Sequence, residues 1–165
     1  MKHLKLFENF TLTDLEKGYQ DAKGLVELGL MDQSDLKYFE DQLRIQRYIA
    51  DGSNGDLDLR RTPIQSLVGL TEVGGTLDLR YSSIQDLGEL RKVDGNLDLD
   101  GTPIKSLGEL RKVDGYLWLK DSQIQDLGEL REVGYLLNLT GTPIAKTHTE
   151  QEIREQVQVE GTVLL

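Results

Sequence analysis

The sequence predicts an α/β repeat solenoid: a parallel β-sheet of about six short strands with 3₁₀ or irregular returns, closed at its N-terminal end by a helical pair. Three observations predict it. A 20-residue unit recurs from Gly55 onward; each unit alternates Leu-x-Leu and then spaces its apolar residues by three; residues 1–54 fall outside that frame and read as helices instead.

The N-terminal segment, residues 1–54, holds two helix-like stretches. The first runs from about Leu12, with Thr11 or Thr13 as its cap, to about Leu28, and is expected to bury Leu15, Tyr19, Ala22, Leu25 and Val26. The second opens at Ser34 as N-cap and runs to about Ala50, before the turn Asp51-Gly52-Ser53-Asn54-Gly55, with Leu36, Phe39 and Leu43 on one face. A solenoid end leaves an unpaired strand edge and half a core, so it needs a cap, and a helical pair supplies one. Tyr38, Ile45 and Tyr48 fall off the main apolar face and are where the pair would dock a partner.

Residues 55–165 form the solenoid, with copies starting at residues 55, 75, 95, 115 and 135 and a truncated sixth at 155. The unit reads L-x-L-x-x-[ST]-x-I-x-x-L-x-x-L-x-x-V. Leu77 and Leu79 alternate as a short strand burying one face does. Ile84, Leu87, Leu90 and Val93 then step by three, which suits a 3₁₀ or irregular return and drifts around an α-helix. Neither half buries itself alone, so copies must stack. Copies one, three and five carry Thr-Pro at residues 62, 102 and 142, whereas copies two and four carry Ser82-Ser83 and Ser122-Gln123, the mark of growth by two-unit blocks. In the fifth copy two apolar positions become Thr147 and Glu150, and Thr149-Glu150-Gln151-Glu152 has the spacing of a capping box, predicting a short closing helix to about Gln156. Val157, Val159, Thr162 and Leu164 continue the frame of Leu137, Leu139, Thr142 and Ile144.

These units resemble the leucine-rich repeat family over Gly55–Leu165, with two departures: Thr62, Ser82, Thr102, Ser122 and Thr142 stand in place of the signature asparagine, and Val73 precedes Leu77 by four residues where the signature has three. A hydroxyl still donates to and accepts from a neighbouring turn's backbone, more weakly than an amide. The resemblance implies a parallel sheet with an open face and a protein-interaction role, with no specific partner.

With the leucines inside, the residues between and beside them face outward and align in columns with rungs roughly 4.8 Å apart. The central column is Asp58, Asp78, Asp98, Trp118, Asn138 and Gln158; before it run Asp56, Thr76, Asn96, Tyr116, Leu136 and Gln156; after it Arg60, Arg80, Asp100, Lys120, Thr140 and Glu160. The stacked aspartates read either as a ladder neutralised by Arg60 and Arg80 or as an acidic strip for a basic partner. Trp118, with Tyr116 on the same face, stands in a column otherwise polar. A repeat has no packing reason for an indole there, and buried aromatics anchor interfaces. The candidate partner-binding set is Asp58, Asp78, Asp98, Tyr116, Trp118, Lys120, Asn138, Arg60 and Arg80. Glu89, Glu109 and Glu129 beside Arg91, Arg111 and Arg131 form a self-neutralising surface on the return side.

Charge and composition bound the rest. The chain carries 19 basic and 29 acidic side chains, a formal charge of −10 spread over both segments, so nucleic acid and anionic membranes are not expected partners. Without cysteine, and with His3 and His148 at opposite ends, no metal site, cofactor or thiol chemistry is expected, and no catalytic constellation or phosphate-cradling loop is present in the sequence. No apolar run approaches a membrane span and the start lacks a signal-peptide pattern, which points to a soluble protein of the cytoplasm. Asn9-Phe10-Thr11 and Asn138-Leu139-Thr140 match the glycosylation triplet and are read as chance. The expected function is a non-catalytic module that binds a protein or peptide on the sheet face. The alternative is a structural or assembly component, possibly of a virus particle, whose helices dock while the repeats act as a spacer; Leu6-Phe7-Glu8 resembles a maturation-protease site.

Overall fold

The computed structural model describes residues 11–165. The processing motif at Leu6-Phe7-Glu8, the Asn9-Phe10 pair and His3 lie outside them. Helix α1 (Leu12–Glu27) starts at Thr11, which with Asp14 forms a reciprocal capping box, so Thr11 and not Thr13 is the cap. It ends on Gly29 at φ 68°, with the Leu30 N–H reaching back to the Leu25 carbonyl. Helix α2 (Gln33–Ala50) begins before Ser34, and Asp32 occupies the N-cap without a side-chain bond. Leu15 and Ala22 are buried as expected, but Leu25 is exposed: α2 covers only the Leu15/Ala22 side of α1.

Two of the three residues expected to be available for docking have other tasks. Ile45 is fully buried in the core shared with the repeats, and Tyr48 and Ile49 pack against that core. Tyr38 is half-buried. The face of α2 that looked secondary by helical periodicity is the one that closes the solenoid. Polar groups finish the closure: Arg44 donates to the Asp58 carbonyl (2.9 Å), Gln46 to that of Val68 (3.3 Å), and the Tyr48 hydroxyl lies 2.7 Å from the carbonyls of Ser53 and Gly55. Carbonyls at the first turn thereby find partners that a further turn would have supplied.

Six strands stack in parallel as predicted: β1 (Leu57–Asp58), β3 (Leu77–Asp78), β5 (Leu97–Asp98), β7 (Leu117–Trp118), β9 (Leu137–Asn138) and β11 (Val163–Leu164). The return differs from expectation. It holds a second parallel sheet of β2 (Glu72–Val73), β4 (Lys92–Val93), β6 (Lys112–Val113), β8 (Glu132–Val133) and β10 (Gln158–Val159); among the described residues only Ile144–Lys146 is 3₁₀. Each of these strands places a single residue in the core, too few to show alternation. Their apolar step of three arises from corners between flat sides. Ile64, Leu67, Leu70 and Val73 and their copies line one continuous core with the front-sheet leucines.

The last turn also departs from its expected frame. Val163 pairs with Leu137 and Leu164 with Asn138, 26 residues along, while Val159 takes the place opposite Val133 that the 20-residue frame assigns to Ile153. The cause is the inserted α3 (Glu150–Gln156), capped by the Thr149/Glu152 box, which adds residues without adding a strand. Gln156, Gln158 and Glu160 are therefore absent from the front columns, and Leu164 closes the central one. Arg154 of α3 donates to the carbonyls of Val159 and Gly161.

Inside the turns, Thr62, Thr102 and Thr142 are buried and donate to the carbonyls of Leu59, Leu99 and Leu139 at 2.6–2.8 Å. These bonds stay within one turn and do not cross to the neighbour, because the hydroxyl reaches only three residues back. Ser82 and Ser122 leave that bond unmade. The two-unit alternation has a structural consequence. Ser83 and Gln123 donate N–H bonds to Thr62 and Thr102 of the preceding turn, whereas Pro103 and Pro143 have no N–H to give. The bridges Ser66↔Asp86 and Ser106↔Asp126 repeat the same pairing of first with second and third with fourth turns. No described helix is long and apolar enough to cross a membrane.

Candidate functional site

The front sheet carries all nine candidate residues, but its register divides them. Asp58, Asp78 and Asp98 pair in order, Asp98 then pairs with Trp118, and Trp118 with Asn138. Asp58, Arg60 and Arg80 border the helical pair; Tyr116, Trp118, Lys120 and Asn138 lie beyond β5.

The aspartate column serves the backbone first. Each carboxylate accepts the N–H two residues on: Asp58 from Arg60 (3.1 Å), Asp78 from Arg80 (3.2 Å), Asp98 from Asp100 (3.1 Å), and Asn138 repeats this with Thr140 (3.0 Å). An amide or carboxylate is needed at that place to satisfy a turn donor. The charges are then zipped by arginine. Arg60 spans Asp58 (2.7 Å) and Asp78 (3.4 Å); Arg80 spans Asp78 (2.6 Å) and Asp98 (3.2 Å). Hydrogen bonding to Arg60 holds the Asp58 carboxyl below its usual range. This geometry favours the neutralised ladder over an acidic strip.

Asp98 is the strained rung. It is 4 % exposed, and burial raises its pKa to about 6 against the favourable Asp100 N–H bond and Arg80. The folded chain therefore binds this proton more tightly than the unfolded one. The resulting penalty is absent below the ordinary aspartate value, grows as pH rises from ~4 to ~6, and is full above that. Asp98→Asn keeps the acceptor, as Asn138 does, and leaves Asp78 for Arg80. It is expected to raise unfolding free energy by about 1 kcal/mol near neutral pH and to flatten stability between pH ~4 and ~6, measured by urea denaturation across pH. A loss of stability at neutral pH would show that the Arg80 pair outweighs burial.

The fourth copy breaks the pattern. Trp118 cannot accept the Lys120 N–H, and that donor goes instead to Asp100 of the preceding turn at 2.7 Å. Asp100 stands where the other copies have Arg60, Arg80, Lys120 and Thr140, so a second substitution compensates for the indole. Tyr116 lies against Trp118 with ring centroids 5.6 Å apart, and against Tyr135 at 5.3 Å, with interplanar angles of 28° and 22°. Tyr116 and Tyr135 are exposed and Trp118 half-buried.

Tyr135 was not among the expected residues. Its signal was a shifted glycine: the Val-Asp-Gly of the second and third copies becomes Val133-Gly134-Tyr135, putting a phenol where Gly75, Gly95 and Gly115 stand. An added Cβ at Gly95 would lie 2.7 Å from the Gly75 backbone, and one at Gly134 would overlap the Asp114 carbonyl oxygen. One glycine is needed at this close approach of turns, and moving it by one place makes room for Tyr135. On the return side, Arg91 pairs with Glu109 (2.8 Å) and Arg131 with Glu129 (2.6 Å), the mutual neutralisation expected there. No group of three or more acidic or His side chains among the described residues is placed to hold a metal. Comparison with known family models, curated proteins and solved structures finds no match.

Proposed function

We propose that this chain is a non-catalytic protein-interaction module that holds a protein or peptide against the C-terminal half of its front sheet, at Tyr116, Trp118 and Tyr135, with Lys120 and Asn138 beside them. The observation that carries the reading is the compensated indole. A column whose other rungs, from Asp58 to Asn138, accept a turn N–H gives up its acceptor for Trp118, and Asp100 takes over the orphaned donor. Packing alone does not call for that exchange, since Trp118 is outside the core cluster. Large amphipathic rings on a rigid sheet lose little entropy on binding and dominate interface energetics. The unit's resemblance to leucine-rich repeats supports the same role.

The test is the double variant Tyr116→Ala/Trp118→Ala. Partners recovered by affinity purification from the native source are identified by mass spectrometry, and their affinity is then measured with each form of the protein. The variant is expected to bind about 100-fold more weakly or not at all, with a melting temperature within a few degrees of wild type because neither ring fills the core. Equal affinity for both forms would sink this site.

A further inference from the structure

Each of the two sheets ends in an edge strand at both ends of the stack, and three of these four edges are closed. At the helical end, Arg44 donates to the Asp58 carbonyl on the front edge (2.9 Å), and the Gly74 N–H donates to the Ser53 carbonyl on the back edge (2.8 Å). At the other end, Arg154 takes the carbonyls of Val159 (2.9 Å) and Gly161 (2.8 Å) beside the back-sheet strand β10. The outer edge of β11 has no such closure. The Leu137 and Leu139 N–H groups donate to the carbonyls of Thr162 and Leu164, so Leu164 turns its backbone groups toward β9. Alternation along the strand then turns the N–H and C=O of Val163 and the N–H of Leu165 outward, where they have no partner among the described residues.

No charge guards this edge. Open edges invite strand pairing and are ordinarily blunted by lysine, proline, a bulge or a covering element. From Val157 to Leu165 the one charged residue is Glu160, at the corner before β11. The outward side chains of the last two front rungs, Leu136, Asn138, Thr140, Thr162 and Leu164, are uncharged, in contrast to the Asp/Arg rungs of β1 and β3. Leu164 and Leu165 are 40 % and 42 % exposed.

We propose that β11 pairs with β11 of a second copy of this chain, antiparallel about a two-fold axis, joining the two front sheets into one. An uncharged rim lets two chains of net charge −10 meet without like charges face to face. Because Arg44 and the helical pair cover β1, a second copy finds no open front edge at that end, so head-to-tail growth is blocked and the assembly closes at two. Gly161 lies in the bend before the strand with its carbonyl held by Arg154, so the pairing centres on Leu164. Val163 of each copy then exchanges backbone hydrogen bonds with Leu165 of the other, and the two Leu164 residues stand opposite each other with Cα atoms roughly 4.5 Å apart. The dimer presents two aromatic stacks on one face.

The test is sedimentation equilibrium of the full chain across micromolar concentrations. A monomer–dimer equilibrium with a Kd of about 10 μM is expected, since the edge is short, with no larger species. Leu164→Lys, at a position exposed in the single chain, should keep the circular dichroism spectrum and weaken dimerisation at least ~10-fold. The chain has no cysteine, so Leu164→Cys reports the register: oxidation by copper phenanthroline should link it into a covalent dimer, whereas Leu28→Cys, at the exposed tip of the helical pair, should stay single. Tyr116→Ala/Trp118→Ala should dimerise like wild type because Trp118 lies two strands from β11, which separates this proposal from the aromatic site. A monomer at every concentration, oligomers that grow beyond two, equal dimerisation by Leu164→Lys, or a covalent dimer through Cys at position 28 and not at 164 would overturn it.

Discussion

Leu99→Ala is expected to lower the free energy of unfolding by about 3 kcal/mol and the melting temperature by roughly 10 °C. Leu99 is fully buried in the third turn, with the copies Leu79 and Leu119 stacked on either side of it. Truncation removes the transfer energy of the side chain and leaves a cavity between two turns whose spacing is held by ladders in both sheets, so relaxation into the gap is limited. In a nearly one-dimensional stack the loss falls on two interfaces. Val163→Ala, in the last turn with one stacked neighbour, is expected to cost about 1 kcal/mol. Urea denaturation of both variants checks the contrast. Equal losses would mean that the core does not behave as a chain of nearest-neighbour contacts.

Gly134→Ala is expected to be comparably damaging, at about 3 kcal/mol, for a different reason. No cavity forms; the new methyl would overlap the Asp114 carbonyl oxygen, and the third and fourth turns must part. The Gly134 N–H bond to Val113 (3.0 Å) and the Tyr135 N–H bond to Gly115 (3.2 Å) lie at the same seam and weaken together. Tyr135 then leaves Tyr116, so near-ultraviolet circular dichroism should change along with the melting curve. An unchanged melting temperature with an unchanged aromatic signal would refute the close approach of the two turns.

Much of this fold is legible in one dimension. The 20-residue period, the inward leucines and the two helices follow from the spacing of apolar residues, because spacing reports which side of a chain is buried. Ile45 shows the limit of that signal: it lies off the face marked by Leu36 and Leu43, and its burial comes from a second contact surface, the first turn of the solenoid. The second sheet was hidden for a related reason, since a strand with one inward residue carries no alternation. The final turn misled the periodic frame because Val157 and Val159 kept the spacing while α3 consumed six extra residues between β9 and β11.

The candidate surface divides along the same line. Trp118 and Tyr116 could be marked from sequence, since a column of polar residues makes an indole conspicuous. Tyr135 and Asp100 could not be weighted until the turns were stacked. What the sequence alone determined is which residues face inward, which face out, and how often the pattern repeats. The tertiary structure decided who meets whom: aspartate with the next turn's guanidinium, an orphaned N–H with Asp100, a ring with a ring. The physical reason is that burial is set residue by residue by hydrophobicity, whereas hydrogen bonds, ion pairs and stacking depend on the atoms that an adjacent turn brings within a few ångströms.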